Sequence, residues 1–177
     1  MPERDPDDVA AARARELVAR AVAELGAAHA RDEALAEFVP ERRVFGIPRR
    51  ARMTPIGRVW RLGALLLTTD GSLLATGRVI RAERPSRRSV TANAVAEQRA
   101  YRAAAVAGGF PEGETVNFDA RPIELDATAL AEASDPLVLD SGEVLVRWSA
   151  AQPDALTPLE RYLADRIDLL VNPPSGA

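Results

Sequence analysis

Arginine is the residue type whose number and spacing point most clearly to chemistry in this sequence. Five arginines lie within residues 42–52, and three more lie among serines and a threonine within residues 84–91. A guanidinium group binds a phosphate through two parallel hydrogen bonds. The second segment precedes a predicted helix, whose N-terminal N–H groups add a partial positive charge. The candidate anion-binding residues are Arg49, Arg50 and Arg52 in the first segment, and Arg84, Ser86, Arg87, Arg88 and Ser89 in the second.

The charge of the chain is divided into three blocks. Residues 1–41 carry five arginines and ten acidic residues, residues 42–102 carry fourteen and three, and residues 103–177 carry four and thirteen. A basic middle of net charge +11 therefore lies between acidic ends of −5 and −9, for a total of −3. The acidic C-terminal third neutralises this middle within the fold, or the middle binds a small phosphate-bearing ligand, or it binds nucleic acid. Aromatic residues make up only 5% of the chain, so stacking platforms for single strands are few.

Most nucleophilic and metal-dependent chemistry is excluded by residue types that the chain lacks. It contains no cysteine, and all 23 basic residues are arginine, so thiolate, Schiff-base and serine–lysine chemistry cannot be assembled. His29 is the only histidine, and it continues the apolar stripe of the first predicted helix, where we expect a buried packing role. We therefore expect no metal site and no cofactor.

Carboxylate chemistry stays open on the sequence. Two groups of acidic residues lie close together along the chain, and a pair of carboxylates can act as general acid and base or hold Mg²⁺. Their spacing matches no metal-binding loop, so we favour a role in solvated turns. These residues are Asp119, Glu124 and Asp126 in one group, and Asp135, Asp140 and Glu143 in the other.

The elements that must position the arginines are indicated by periodicity and by turn residues. A helix is predicted over about residues 7–30, and a short helix between Asp32 and Pro40, so residues 1–40 form an expected N-terminal helical segment. Prolines and glycines interrupt residues 41–58, which are predicted to be irregular. Residues 41–177 are expected to form a single α+β domain.

Two β-hairpins, one strand and three helices are predicted within that domain. The hairpins are centred on Asp70-Gly71-Ser72 and Asp140-Ser141-Gly142, and Trp60, ahead of the first, is expected in the core. Helices at 93–107 and 126–134 flank a strand at 114–123, and a capping box at Thr157-Pro158-Leu159-Glu160 begins the last helix. The predicted fold is α+β: an antiparallel sheet built from two hairpins plus a strand, with helices mainly on one face and a helix at each terminus.

Three stretches of the chain resemble a known family: Val44–Leu67, residues 113–118 and Tyr162–Pro174. Together they are similar to a small family of bacterial proteins of comparable length that carries the label glutaminase. The resemblance implies hydrolysis of an amide. Enzymes of that kind use serine with lysine, cysteine, or threonine with lysine, and this chain has neither lysine nor cysteine. No catalytic residue is therefore carried over from the resemblance.

The leading hypothesis is a cytoplasmic protein without catalytic activity that binds a protein partner or associates with itself, through the apolar stripe of the first helix. Binding of an anion or of nucleic acid through the basic middle is one alternative, and a glutaminase-type amidohydrolase is another. The acidic start MPERDPDD is not followed by the apolar core of a signal peptide. The longest apolar run, Leu62–Leu67, is far shorter than the ~20 residues that span a bilayer. We therefore expect the cytoplasm and no membrane partner.

Overall fold

A computed structural model of the protein describes residues 5–84, 93–132, 136–149, 151–152 and 154–174. Within these residues the chain is a mixed α+β protein with four helices and twelve strands. The helices are α1 (Pro6–Ala27), α2 (Asn93–Ala107), α3 (Ala127–Glu132) and α4 (Leu159–Val171). The strands are β1 (Glu33–Val39), β2 (Arg42–Val44), β3 (Ile47–Arg49), β4 (Arg52–Leu62), β5 (Leu65–Thr68), β6 (Leu73–Ala75), β7 (Arg78–Arg81), β8 (Thr115–Phe118), β9 (Arg121–Ile123), β10 (Leu137–Asp140), β11 (Glu143–Arg147) and β12 (Leu156–Pro158).

The chain folds into two compact units, each with its own hydrophobic core. The central unit comprises Glu33–Val59 and Gly77–Ala120. The terminal unit comprises Met1–Asp32, Trp60–Thr76 and Arg121–Ala177, so it includes α1 and α4. Strand β4 contributes residues to both units.

The central unit pairs its strands in the order β7-β8-β1-β4. β1 is antiparallel to β4 but parallel to β8, and the register of β1 against β4 shifts between Leu35 and Ala36. Because that irregularity lies opposite Gly57 and Pro55, it places the proline where a ladder hydrogen bond is already interrupted. Helix α2 ends against β4 so closely that a Cβ at Gly108 would lie 1.8 Å from the carbonyl oxygen of Met53.

The terminal unit buries one stripe of α1 against its own helices and strands. The stripe is small and apolar, so α1 packs closely on α3, α4 and β11. Strand β5 lies between β4 and β6, and Leu65, Leu66 and Leu67 are each 0% exposed, so both faces of this strand are covered. The buried residues of α1 are Ala10, Ala11, Ala14, Val18, Ala21 and Leu25.

Several predicted elements are confirmed. They include the first and last helices, α2 and α3, and tight turns at Asp70-Gly71 and Ser141-Gly142 that join β5 to β6 and β10 to β11. Trp60 is 6% exposed and donates a hydrogen bond from Nε1 to the carbonyl oxygen of Ala30 at 3.1 Å, as expected of a core residue. These elements carry strong local signals: periodic apolar residues, or a turn glycine between apolar runs.

Other predictions are wrong because pairing between distant segments overrides local signals. The short helix expected between Asp32 and Pro40 is strand β1, and the segment 41–58 expected to be irregular contains β2, β3 and most of β4. The strand expected at 114–123 is two strands, β8 and β9, which pair in different units. The sheet layout is consequently more complex than two hairpins plus a strand, and it includes a parallel pair.

The predicted capping box of the last helix is also wrong. Thr157 is part of β12, and Pro158 occupies the N-cap position of α4 without a side-chain hydrogen bond. None of the four helices in the described part of the chain is long and apolar enough to cross a membrane.

Candidate anion-binding site

Four arginines of the central unit border one open cavity of about 390 Å³. We call this cavity and its arginines the arginine cleft. Its other lining residues in the described part of the chain are Val39, Pro40, Ala51 and Ala107, none of which is acidic. Open cavities of ~300–1,000 Å³ are typical of ligand sites. The four arginines are Arg42, Arg49, Arg50 and Arg52.

A short β-hairpin positions half of these arginines. β2 and β3 pair antiparallel, with Arg42 directly opposite Arg49. Phe45 and Gly46 form the two-residue turn with φ of +51° and +80°, which is the backbone of a type I′ turn. Like charges directly opposite each other destabilise an antiparallel pair. The hairpin therefore places two positive charges on one face. Their repulsion destabilises the hairpin, and a bound anion would reduce that repulsion.

The arginines of the cleft are exposed, and their guanidinium groups make no ion pair or hydrogen bond with any residue that the structure describes. A guanidinium in water can rearrange towards an incoming phosphate without first breaking an internal pair. Four such groups around one cavity therefore form a positive surface suited to a ligand with several phosphates.

Other arginines of the central unit are paired inside it. Arg58 contacts Glu114, Arg102 contacts Glu83, and both contacts join guanidinium to carboxylate. Arg78 donates to Glu97 at 3.0 Å and lies 3.7 Å from Asp119. Of these acidic partners, Glu114 and Asp119 belong to the acidic C-terminal third, whereas Glu83 and Glu97 lie within the basic middle itself.

The Arg78 network shifts the pKa of Glu97 and of Tyr101. Tyr101 donates a hydrogen bond to Glu97, and this bond together with Arg78 lowers the pKa of the Glu97 carboxyl below its usual range. The same bond raises the pKa of the Tyr101 hydroxyl, because the neutral phenol is the donor. Tyr101 also packs edge-on against Phe38, with ring centroids 4.9 Å apart. These contacts give Arg78 a structural role.

The predicted anion-binding residues are divided by the structure. Arg49, Arg50 and Arg52 border one cavity, together with Arg42, which the prediction did not include. Arg84 follows β7, is exposed, and lies 3.5 Å from Glu112. The remaining predicted residues, Ser86, Arg87, Arg88 and Ser89, lie outside the described residues.

Sequence reasoning missed the hairpin that gives the site its shape. A signal was present: Phe45-Gly46 lies between the β-branched residues Val44 and Ile47, the pattern of a two-residue hairpin loop. Pro48 obscured that signal. The structure accommodates this proline in a two-stranded ribbon, where one side of each strand needs no partner.

The carboxylate groups are explained by local roles where the structure describes them. Asp126 accepts a hydrogen bond from Ala129 N at 2.9 Å at the start of α3, and Asp140 accepts one from the Ser141 hydroxyl at 3.1 Å in a turn. Asp119 lies beside Arg78, and Asp135 lies outside the described residues. In the described part of the chain, no three His, Asp or Glu side chains lie close enough together to hold a metal ion.

The prediction that His29 is buried is wrong. Helix α1 ends at Ala27, and His29 is an exposed residue with a left-handed φ of +49°. It lies in the turn after the helix and not on the apolar stripe.

A second cavity, of about 350 Å³, lies in the terminal unit beside Trp148, which is 47% exposed. Arg161 and Arg166 border it together with Asp165. Arg166 stacks over the Tyr162 ring, 5.2 Å from its centroid. Because an acidic side chain shares this cavity, its surface is less suited to an anion than the arginine cleft.

No family model, curated protein or solved structure matches this chain. The geometry and charge of the arginine cleft are therefore the features that indicate a function.

Proposed function

We propose that this protein binds a ligand bearing several phosphate groups at the arginine cleft, without catalysis. One observation carries the proposal: four exposed arginines border one cavity, and none of its described lining residues is acidic, whereas Arg58, Arg78 and Arg102 of the same unit are paired with acidic residues. A cluster of unpaired like charges lowers stability in the absence of a ligand, and a bound polyanion reverses that effect. We also propose that this binding takes place in the cytoplasm.

Salt-dependent binding is the direct test. Fluorescence anisotropy with a labelled 20-base-pair DNA duplex, used as a phosphate polyanion, should show binding at ~50 mM salt. Four phosphate contacts give a slope of log K against log salt of about −3.6, so affinity should fall ~100-fold between ~50 and ~200 mM salt. Absence of binding at the lower salt concentration would contradict the proposal.

A matched pair of variants locates the site. Replacing Arg49 and Arg50 by alanine should reduce affinity and make the salt slope less negative by about 2. The control replaces the exposed Arg31 and Arg161 by alanine, which changes the net charge equally and leaves the cleft intact. Arg161 borders the Trp148 cavity, so an affinity loss confined to the control would place the ligand there and overturn the assignment to the arginine cleft.

Self-association through α1 receives no support from a specific observation. Most of the apolar stripe that motivated this hypothesis packs within the terminal unit, where Val18 is 3% exposed and Leu25 is 0% exposed, whereas Val9 near the start of the helix is 49% exposed. Truncation of α1 would remove part of that core.

Glutamine hydrolysis is the activity implied by the sequence resemblance. An assay of this activity distinguishes an enzyme from a binding protein. Protein purified free of contaminants should release no ammonia from glutamine above the blank. Ammonia release that survives further purification would contradict a purely binding function.

A further inference from the structure

The tip of the β2-β3 hairpin presents an aromatic side chain that nothing in the described structure covers. Phe45 is 100% exposed, and the adjacent Ile47 is 61% exposed. Aromatic residues are scarce in this chain, and the aromatics of the core lie at 8% exposure or less, as Phe110 and Phe118 show. Covering the exposed Phe45 ring with a partner would therefore gain the apolar transfer free energy that the free protein lacks at this position.

The backbone conformation of Phe45 is a second feature of the hairpin, and it lowers stability. Its φ of +51° lies in the left-handed region, which is unfavourable for a bulky side chain. Asparagine or glycine is the preferred residue at this position of a type I′ turn. Local features that oppose stability concentrate at functional sites, and this hairpin has three of them: the exposed ring, the left-handed phenylalanine and the opposed pair Arg42 and Arg49.

The hairpin separates its positive and apolar ends. Arg42 and Arg49 lie at the base of three-residue strands, and Phe45 lies in the turn at the other end. At ~3.3 Å per residue, base and tip are about 10 Å apart. The minor groove of B-DNA is ~7.5 Å deep, so a ribbon whose base contacts backbone phosphates reaches the base pairs with its tip.

We propose that the ligand of the arginine cleft is double-stranded DNA, and that Phe45 inserts between base pairs from the minor groove and kinks the duplex. This inference rests on the proposed function and adds a role for the hairpin tip. A single apolar side chain is sufficient to unstack one base step, whereas sequence-tolerant binding of a single strand uses a series of stacking aromatics. One fully exposed aromatic on a basic ribbon fits insertion into a duplex. The phosphates of that duplex complement the positive charge of the arginine cleft.

The experiment separates kinking from binding. The duplex carries 2-aminopurine, whose fluorescence rises when it is unstacked, and a donor and acceptor dye at its two ends, which report bending. Wild-type protein should increase the 2-aminopurine signal and shorten the end-to-end distance, consistent with a kink of about 20–90°. Anisotropy on the same duplex measures affinity independently.

The decisive variant is Phe45→Asn. It removes the ring but retains a residue that favours the type I′ turn, so the hairpin and its arginines stay in place. Affinity should fall by less than about tenfold, because the lost apolar contact is offset by the unstacking that no longer occurs, while both the 2-aminopurine and the bending signals disappear. Phe45→Leu, which keeps an apolar wedge, should retain both signals.

The outcomes distinguish the two proposals. Salt-dependent binding without unstacking or bending by wild-type protein would overturn the insertion of Phe45 and leave phosphate binding intact. Absence of any DNA binding by the wild-type protein would overturn both the phosphate-binding proposal and the insertion of Phe45. Equal unstacking by the wild type and Phe45→Asn would assign the kink to another residue, and a preference for an unpaired strand of equal length, or for anionic vesicles, would overturn duplex DNA as the ligand.

Discussion

At the scale of single residues, the arginines differ in function because their neighbours differ. Arg78 donates to Glu97 and Tyr101, whereas Arg49 and Arg50 border an open cavity whose described lining includes no acidic side chain. All of these residues look alike in the sequence. Composition predicted a basic surface, but only the structure shows which guanidinium groups are paired.

Tyr162 is the residue for which the structure predicts a large stability effect. Its hydroxyl is buried, donates to the carbonyl oxygen of Leu62 at 2.8 Å and accepts from Ala64 N at 2.8 Å. Tyr162→Phe should lower the free energy of unfolding by about 1–3 kcal/mol, because two backbone groups lose their partner. Urea denaturation followed by tryptophan fluorescence measures this loss.

Tyr101→Phe is the matched control for Tyr162→Phe. Its hydroxyl bonds to Arg78 and Glu97 in an exposed network, where water replaces the lost contacts, so we expect a change below about 1 kcal/mol. Equal losses in the two variants would show that the Tyr162 hydrogen bonds contribute nothing beyond a surface contact.

At the scale of elements, strong local signals predicted the helices. Several strands, β1 among them, carry only weak local signals and were not predicted. Helix α2 ends as its glycines require: Gly109 N donates to Val106 O at 3.0 Å and Phe110 N to Ala105 O at 3.2 Å, which closes a Schellman motif. Strand β1 offered no such signal. Its residues pair with β4 and β8, and each of those partners lies at least a dozen residues away.

The end of α1 is a Schellman motif with histidine where glycine is preferred. His29 N donates to Gly26 O at 3.1 Å, Ala30 N donates to Leu25 O at 3.0 Å, and His29 has a φ of +49°. Replacing His29 by glycine should raise the free energy of unfolding by roughly 0.5–1 kcal/mol, because glycine adopts this conformation without steric strain. Thermal denaturation should register the gain as a higher Tm.

Ala28→Gly tests whether backbone geometry is the cause of that gain. Ala28 has a φ of −78°, one residue before His29, so a glycine there relieves no strain and should destabilise the helix by up to about 1 kcal/mol. A gain in Tm from both variants would contradict the assignment to the left-handed position.

At the scale of the whole molecule, the two units carry net charges of opposite sign, as the three blocks of the sequence do. The central unit carries thirteen arginines and eight acidic residues, a net charge of +5, and the terminal unit carries ten and eighteen, a net charge of −8. The two values give the total of −3. The total therefore does not describe the surface that a polyanion meets.

Chromatography measures this separation of charge. At pH 7 the protein should bind an anion exchanger, because its net charge is negative, and should also bind heparin through the arginine cleft. Arg49→Ala with Arg50→Ala should elute from heparin at lower salt than the wild type. Arg31→Ala with Arg161→Ala should shift only the anion-exchange elution, and equal shifts of both variants on heparin would show that total charge decides binding.

The sequence by itself determined the fold class, the long helices, the two tight turns and the chemistry that the chain cannot perform. These properties depend on residue types and on spacings of a few positions, and therefore need no knowledge of distant contacts. It also predicted that Arg49, Arg50 and Arg52 are candidates for binding anions.

Tertiary structure alone decided the pairing of β1 with β8, the two-unit organisation and the position of Arg42 beside Arg49. Each of these depends on which segments meet, and free energies summed over many weak contacts select that arrangement. The physical reason is the same at the cleft: an arginine acts on a ligand or on an acidic neighbour according to what the fold brings within reach of its guanidinium group.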